Sequence, residues 1–146
     1  LTETHGTPIA SSIADHDGSL THLFPTSEVL AELDPTTLAM PRSRARAVVD
    51  LARSLAQGKV DLDPGSDPAR SRHQLASIAG IGPWTCEMVA LRGLGDPDAF
   101  PATDLGVTRT AACLGLPTKA GPLTAHAETW RPWRSYAVTH LWSHRP

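Results

Sequence analysis

Proline and glycine interrupt this sequence so often that no helix or strand in it can be long. The 146 residues include 13 Pro and 11 Gly, and many of these separate stretches in which apolar residues recur every three or four positions. That spacing is typical of amphipathic helices, whereas the strict alternation that predicts a strand is absent. The sequence therefore predicts an all-α fold, a bundle of about seven or eight short helices.

Local signals give the boundaries of these predicted helices. Asp34-Pro35 and Asp67-Pro68 both read as helix starts, because Asp caps the first turn and Pro suits the first helical position. The longest predicted helix runs from Arg42 to Gln57 and is stopped by Gly58. Further helices are predicted over 27–33 with Ser27 as the cap, from Pro83, from Asp104 to about Leu114, from Gly121-Pro122, and from Pro132 to near His144.

Composition excludes several classes of protein. Hydrophobic residues make up 40% of the chain and charged ones 19%, which indicates a globular protein. No apolar run approaches the roughly 18 residues of a membrane span, and no signal peptide opens the sequence. Cys86 and Cys113 are too few for a disulfide framework or an iron–sulfur cluster, so we expect reduced thiols and a cytoplasmic location. Because the sequence begins at Leu1 without Met, we also expect it to be part of a longer protein.

Positive charge is clustered although the net charge is −2. One cluster consists of Arg42, Arg44, Arg46 and Arg53, and a second follows Asp104 (Arg109, Lys119, Arg131, Arg134 and Arg145). Such patches can bind phosphate even when the total charge is slightly negative, but ordinary solvated helix faces have the same composition. Charge alone leaves the two interpretations open.

The segment Gly80-Ile81-Gly82 lies between two predicted helices and indicates a helix–hairpin–helix. Glycine permits positive φ and close approach to the backbone, and Ile81 is predicted to anchor the turn in the core. The next helix starts at once with Pro83-Trp84-Thr85, so its unpaired amides suit a phosphate oxygen. Contacts of this kind hold a nucleic-acid backbone without reading bases. The alternative is a turn that only packs two helices together.

Asp104 stands 22 residues after Gly82, at the start of another predicted helix. Its carboxylate can simply cap that helix. It can also stabilise a cationic sugar, orient a water molecule or accept its proton. The two roles are compatible, because backbone amides that cap through the carboxylate also favour its ionised form.

Three segments carry a resemblance to a known family. The segment LASIAGIGPWTCEMVALRGLGDPDAFPATDLGV, residues 75–107, resembles the helix–hairpin–helix, Gly/Pro-rich loop and Asp motif of base-excision DNA glycosylases. The segment ETWRPWRSYAVTHLW, residues 128–142, resembles the closing helices of the bacterial DNA-3-methyladenine glycosylase II branch. Residues 23–58 are also similar to that branch. The resemblance thus covers nearly the whole chain.

The resemblance implies how the chain is organised. Residues 1–146 would form one all-helical glycosylase region, with the hairpin at about 68–93, the catalytic loop at 94–104 and the closing helices at 104–144. The helices that precede this region in the family are absent, so the fold is expected to be incomplete at its N-terminus and the chain to be a C-terminal fragment. In some bacteria the region follows a regulatory alkyl-transfer module, and such a fusion is one expected arrangement.

The resemblance also implies roles for individual residues. Asp104 corresponds to the catalytic aspartate. Residues expected to contact the DNA backbone are Gly80, Ile81, Gly82, Trp84 and Thr85. The base pocket is expected to contain Trp142, which would stack on the flipped base, with Trp84 as a wall and Met88 where the branch often has an aromatic residue. Backbone carbonyls of Ala76, Ile78 and Ile81 fall where related hairpins often hold Na⁺ or K⁺. Trp130 and Trp133 are predicted to be core residues.

The function predicted from these residues is monofunctional hydrolysis of the N-glycosidic bond of alkylated purines in double-stranded DNA. Bifunctional relatives have a Schiff-base lysine at the position of Trp84, and Trp cannot form that imine, so no lyase activity is expected. A monomer without a membrane association or a required cofactor is expected, acting on the bacterial nucleoid. A non-catalytic helix–hairpin–helix DNA-binding module and a helical interaction domain remain alternatives. A zinc site at His140 and His144 is disfavoured, since no third ligand is adjacent.

Overall fold

The computed structural model describes residues 1–9 and 20–144, and these ranges are mostly helical. The eight α-helices found there are α1 (Thr2–His5), α2 (Ser27–Ala31), α3 (Arg42–Ala56), α4 (Pro68–Ala76), α5 (Pro83–Arg92), α6 (Leu105–Cys113), α7 (Ala120–Ala127) and α8 (Arg134–Ser143). Short 3₁₀ helices cover Pro35–Thr37 and Glu128–Trp130. The predicted all-α fold is confirmed.

One feature that the sequence analysis missed is a small antiparallel strand pair. Strand β1 (Thr7–Pro8) pairs with β2 (His22–Leu23), with Thr7 opposite Leu23 and Pro8 opposite His22. Strands of two residues are too short to show an alternating pattern, which explains why they were not predicted.

The predicted helix starts are confirmed where an Asp precedes Pro. Asp67 accepts a hydrogen bond from the amide of Ala69 (3.1 Å), and Asp34 accepts one from the amide of Thr36 (2.8 Å). Asp34-Pro35, however, starts only a 3₁₀ turn. Ser27 is the first residue of α2 and not its cap, since Thr26 precedes it as the extended N-cap; the Ser27 hydroxyl donates to the Glu28 carboxylate (3.0 Å).

The described residues fall into two compact units, Leu1–Asp61 with Ile78–Gly80, and Leu62–Ser77 with Ile81–Pro146. In the first unit α3 takes part in two small clusters of buried side chains, one with α2 and one with the residue that follows the 3₁₀ helix Pro35–Thr37. These clusters consist of Leu30, Ala31 and Ala52, and of Leu38, Ala45 and Val49. Gly80 has φ +90°, and a Cβ there would lie 3.1 Å from that of Ala47 on α3. The predicted positive φ is thus confirmed at Gly80.

The core of the second unit surrounds the contact between α6 and α8. Its buried members are Phe100, Val107, Ala111, Leu123, Ala127, Val138 and Leu141. Trp130 is half-buried against this core, with its ring edge-on to Phe100 at 5.8 Å, as predicted. The prediction for Trp133 was wrong: this residue precedes α8 and is 57% exposed, with its ring 5.6 Å from that of Tyr136.

No helix within residues 1–9 and 20–144 has the length and apolar character that crossing a bilayer requires.

Candidate active site

Asp104 caps α6 through one of its two carboxylate oxygens. Oδ1 accepts hydrogen bonds from the amides of Gly106 (2.9 Å) and Val107 (3.0 Å), as the sequence predicted. Val107 and Ala111 are fully buried, so the first turns of α6 are fixed by the core of the second unit. The position of the carboxylate is therefore set by the packing of the helix that it caps.

Two tryptophans from other helices also bind this carboxylate. The indole nitrogen of Trp142, in the last turn of α8, donates to Oδ1 (2.8 Å). The indole nitrogen of Trp84, in the first turn of α5, donates to Oδ2 (3.0 Å). On α8 the buried side chains include Val138 and Leu141, so Trp142 lies at the margin of the core and stays half-exposed. Three helices therefore converge on Asp104.

These contacts determine the ionisation of Asp104. Partial burial raises the pKa of its carboxyl, but the indole donors of Trp142 and Trp84 and the backbone amides of Val107 and Gly106 outweigh burial. The resulting pKa lies below the ordinary value of 3.8. Asp104 is thus a carboxylate at every physiological pH, ready to face a positive charge.

Replacing Trp142 by Phe removes one donor to Oδ1 while keeping most of the aromatic packing. We expect the pKa of Asp104 to rise, because its ionised form loses a hydrogen bond that favours it. A titration of the carboxyl carbon by ¹³C NMR measures this. Trp130→Phe makes the same change at another ring of the same core, so it is the control and should leave the Asp104 titration unchanged. Equal Asp104 titration curves in the two variants would contradict a hydrogen bond from Trp142.

Exposed apolar groups accompany the carboxylate. Trp84 is 45% exposed, and Leu105, directly after Asp104, is 68% exposed. Met88 is half-buried one turn after Trp84, on the same side of α5. Of the predicted base-pocket residues, the structure brings Trp84 and Trp142 to Asp104; the pocket role of these two residues and of Met88 stays a prediction.

The sequence analysis missed one cation in this region. The guanidinium of Arg92, at the end of α5, lies over the Trp142 ring at 5.1 Å from its centroid. Distances of this size are typical of cation–π pairs. Fifty residues separate the partners, and no local pattern marks such a contact. The indole ring of Trp142 is accordingly held at its nitrogen by Asp104 and covered on a face by Arg92.

The start of α5 has free space and no side-chain cap. Gly82 is the N-cap with φ −94° and ψ 172°, which any residue can adopt, so of the two hairpin glycines Gly80 alone has a positive φ. A Cβ on Gly82 would meet no atom of the described residues within 4 Å. The amides of Trp84 and Thr85 follow in the first turn, where helix donors lack intrahelical partners.

The predicted cation site at the hairpin uses carbonyls of Ala76, Ile78 and Ile81. Neutral carbonyl oxygens are suitable ligands for Na⁺ or K⁺. Ala76 and Ile81 belong to the second unit and Ile78 to the first. The site stays a prediction.

Part of the predicted basic patch is neutralised by ion pairs. Arg134 binds Asp98 with two hydrogen bonds, Nε to Oδ1 (2.8 Å) and Nη2 to Oδ2 (2.9 Å). Arg131 donates to Glu128 (2.7 Å) and also contacts Asp98. These two arginines therefore do not supply free positive charge for phosphate, which decides for them between the two interpretations that the sequence left open. Arg145 lies outside the described residues.

The pair formed by Asp98 and Arg134 gives a stability prediction. Burial raises the pKa of Asp98, but hydrogen bonds and charge from Arg134 and Arg131 lower it below 3.8 overall. The stabilising effect of this ion pair is therefore complete above the pKa that Asp98 has in the unfolded chain. It is lost as the pH falls through the lower pKa that Asp98 has in the folded protein. Asp98→Asn should cost about 1–3 kcal/mol at pH 7, the typical value of hydrogen bonds to charged groups. Urea unfolding at pH 7 and below pH 3 checks this: the difference between variant and parent should shrink in acid, and a constant difference would contradict it.

Other candidate groups do not form a reactive site. Burial, and secondarily the charge of Glu87, raise the pKa of the Cys86 thiol, which makes it a poor nucleophile. The imidazole rings of His140 and His144 lie 4.1 Å apart, and Nδ1 of His144 is 2.9 Å from the carbonyl oxygen of His140. Within the described residues no cluster of three or more His, Cys, Asp or Glu side chains could hold a metal ion.

Comparison with known proteins places this geometry in context. No family model matches the chain. It is 51% identical over 143 residues to a Mycobacterium tuberculosis protein described as a probable bifunctional transcriptional activator/DNA repair enzyme AlkA, covering 98% of the chain and 28% of that protein. It is 34% identical over 122 residues to DNA-3-methyladenine glycosylase 2 of Escherichia coli, covering 82% of the chain and 42% of that protein.

A solved structure agrees with the sequence relatives. The 3-methyladenine DNA glycosylase of Archaeoglobus fulgidus superposes with a TM-score of 0.72 at 25% identity, covering 97% of the chain and 48% of that structure. The chain thus spans less than half the length of these proteins. Its homologues are DNA-3-methyladenine glycosylases.

Proposed function

We propose that this chain, a homologue of part of the bacterial DNA-3-methyladenine glycosylase II proteins, belongs to an enzyme that hydrolyses the N-glycosidic bond of alkylated purines in DNA. The observation that carries the proposal is the carboxylate of Asp104, which is held ionised by two indole and two amide N–H groups at the meeting point of three helices. A carboxyl whose pKa is lowered by converging hydrogen-bond donors, beside the exposed ring of Trp84, is a candidate for catalysis on physical grounds.

The hydrogen bonds distinguish the two oxygens of Asp104. Oδ1 accepts from three donors, which exhausts its capacity, whereas among the described residues Oδ2 accepts from Trp84 alone. Departure of the base leaves positive charge on the sugar, in a transition state that resembles an oxocarbenium ion. Oδ2 is the oxygen that stabilises this charge or orients the attacking water, and Oδ1 keeps the carboxylate in place.

The target base has to leave the helix before it can reach Asp104. Alkylation at N3 of adenine or N7 of guanine makes the base cationic and weakens its glycosidic bond. The electron-rich rings of Trp84 and Trp142 suit such a base, because a cation gains from stacking on an indole. Met88, one turn along α5 from Trp84, adds an adaptable apolar wall, which favours a tolerant pocket over close hydrogen-bond reading.

The enzyme is proposed to be a glycosylase without lyase activity. A lyase needs an amine that forms an imine with the sugar, and Trp84 has none. The guanidinium of Arg92, which lies over the Trp142 ring, stays protonated and does not act as such a nucleophile.

The hairpin is proposed to hold duplex DNA through its phosphates. The uncapped first turn of α5 presents the amides of Trp84 and Thr85, and the absence of a side chain at Gly82 leaves room for a phosphate oxygen. Gly80 and Ile81 form the turn itself. Na⁺ or K⁺ at the carbonyls of the turn would add a further bridge to phosphate, and no other cofactor is required. The protein would act as a cytoplasmic monomer on the nucleoid, and fusion to a regulatory module fits its similarity to a bifunctional relative.

The test is release of methylated purines from alkylated DNA by the full-length protein that contains this chain. Chromatography of the soluble fraction should show 3-methyladenine and 7-methylguanine, with strand breaks appearing only after alkali treatment. DNA binding without base release would instead support a non-catalytic helix–hairpin–helix module. Strand cleavage without alkali would contradict the assignment as a monofunctional enzyme.

A further inference from the structure

We infer that Glu87 is a positioning residue for Asp104 and that Arg72 holds Glu87 in the orientation this needs. The inference rests on the proposed catalytic role of Asp104. Glu87 lies on α5, one turn after Trp84, and its Oε2 accepts a hydrogen bond from the backbone amide of Phe100 (2.8 Å). The carboxylate of Glu87 is thereby attached to the loop that leads directly to Asp104.

Backbone hydrogen bonds connect Phe100 to Asp104. The amide of Ala102 donates to the carbonyl of Phe100 (2.9 Å), and the amide of Asp104 donates to the carbonyl of Pro101 (2.9 Å). Phe100 and Pro101 are both buried, so the two turns have little freedom to shift. A displacement of the Phe100 amide would consequently move the start of α6 and the Asp104 carboxylate with it.

Arg72 on α4 fixes the other side of Glu87. Its Nε donates to Oε1 (2.8 Å) and its Nη2 to Oε2 (3.3 Å), and Nη2 also binds Asp96. Asp96 in turn accepts from the amide of Asp98 (2.8 Å), which lies in the same loop. All three side chains of the Arg72, Glu87 and Asp96 group are partly buried, where an ion pair has a more definite geometry than on an open surface.

Other contacts show that the loop has supports besides Glu87. The hydroxyl of Ser135 accepts from the amide of Ala99 (3.0 Å) and lies 2.6 Å from the carbonyl oxygen of Asp96. Asp98 is bound by Arg134. Glu87 adds a contact at Phe100, which is nearer to Asp104 along the chain than Ala99 and Asp98. Because Glu87 and Trp84 share α5, one helix sets both the loop and the donor to Oδ2 of Asp104.

The test compares Glu87→Ala and Glu87→Gln in the full-length protein, using duplex DNA with one 7-methylguanine. Ala removes the acceptor for Phe100, whereas Gln keeps an oxygen there but turns an amide group toward Arg72. We expect single-turnover base release to fall about 10- to 100-fold with Ala and less with Gln, since small misplacements of a catalytic group have effects of this size. The Kd for DNA should stay within about twofold in both. Glu128→Gln, which removes an exposed carboxylate paired with arginine, is the matched control and should keep the parental rate.

A second readout does not depend on activity. The indole N–H resonances of Trp84 and Trp142 report directly on their hydrogen bonds to Asp104. We expect both signals to shift in Glu87→Ala and less in Glu87→Gln, with Glu128→Gln unchanged. Parental rates and unmoved indole signals in folded Glu87→Ala would overturn the inference. If the parent releases no base, the proposed function fails, yet the indole signals still decide whether Glu87 positions Asp104.

Discussion

Replacing Asp104 by Asn is expected to slow alkylpurine release by about 10²- to 10⁴-fold, the usual range for a group that supplies charge or base catalysis. Asn caps helices about as well as Asp, so α6 should keep its start. The amide oxygen can still face Gly106 and Val107, but the amide nitrogen then meets the indole N–H of Trp84, and the negative charge is gone. Single-turnover rates under saturating protein measure the loss.

The chain offers a matched control for this substitution. Asp67 caps α4 in the same way, by accepting from the amide of Ala69. Asp67→Asn makes the same chemical change away from Asp104, and we expect it to leave the rate within about twofold. Duplex affinity should be retained in both variants. Equal rates for Asp104→Asn and Asp67→Asn would mean that Asp104 only caps its helix.

Replacing Gly82 by Asp should affect folding and DNA binding in opposite directions. The backbone at Gly82 is extended and an added Cβ meets none of the described residues within 4 Å, so Asp can cap α5 and stabilise the protein by about a few tenths of a kcal/mol. The same carboxylate occupies the amides proposed for phosphate and repels it. We expect duplex affinity to fall about tenfold or more for all sequences. The slope of log K against log salt concentration should become less negative by about 0.9, the contribution of one phosphate contact.

Two further glycine variants separate charge from structure. Gly82→Ala adds a methyl group without charge, and its effect on DNA affinity should be much smaller than that of Gly82→Asp. Gly80→Ala should instead destabilise the fold by about 1–2 kcal/mol, because φ is +90° and the new Cβ would crowd Ala47. Unfolding and DNA titrations of all three variants measure this. If affinity and salt slope are unchanged in Gly82→Asp, the hairpin is a packing turn.

The helices and their caps were predictable because their signals are local. Asp67 and Asp104 each bind amides two or three residues ahead, which the sequence displays directly. The hydrogen bonds that complete the site were not predictable from residues alone, since Trp84 and Trp142 stand 20 and 38 positions from Asp104. The resemblance to glycosylases identified Trp84 and Trp142 as candidate site residues, but it did not predict their hydrogen bonds to the carboxylate.

Two environments could not be read from the residues for the same reason. The sequence left open whether Arg131 and Arg134 form a basic patch, because their acidic partners include Asp98, more than 30 positions earlier. Trp133 was assigned to the core from its residue type, although it lies before the first turn of α8 and outside the set of buried positions on that helix. In both cases tertiary pairing, not local preference, decides the environment.

In the proposed reaction, the donors around Asp104 also influence which bases can leave. An indole or amide N–H holds its proton at neutral pH, and a carboxyl whose pKa lies below 3.8 has none to give. These groups therefore help the sugar but cannot neutralise an anionic leaving group. A purine that already carries a positive charge departs as a neutral molecule and needs no such help. We therefore expect release to be fastest for the lesions whose chemical damage makes the base the best leaving group.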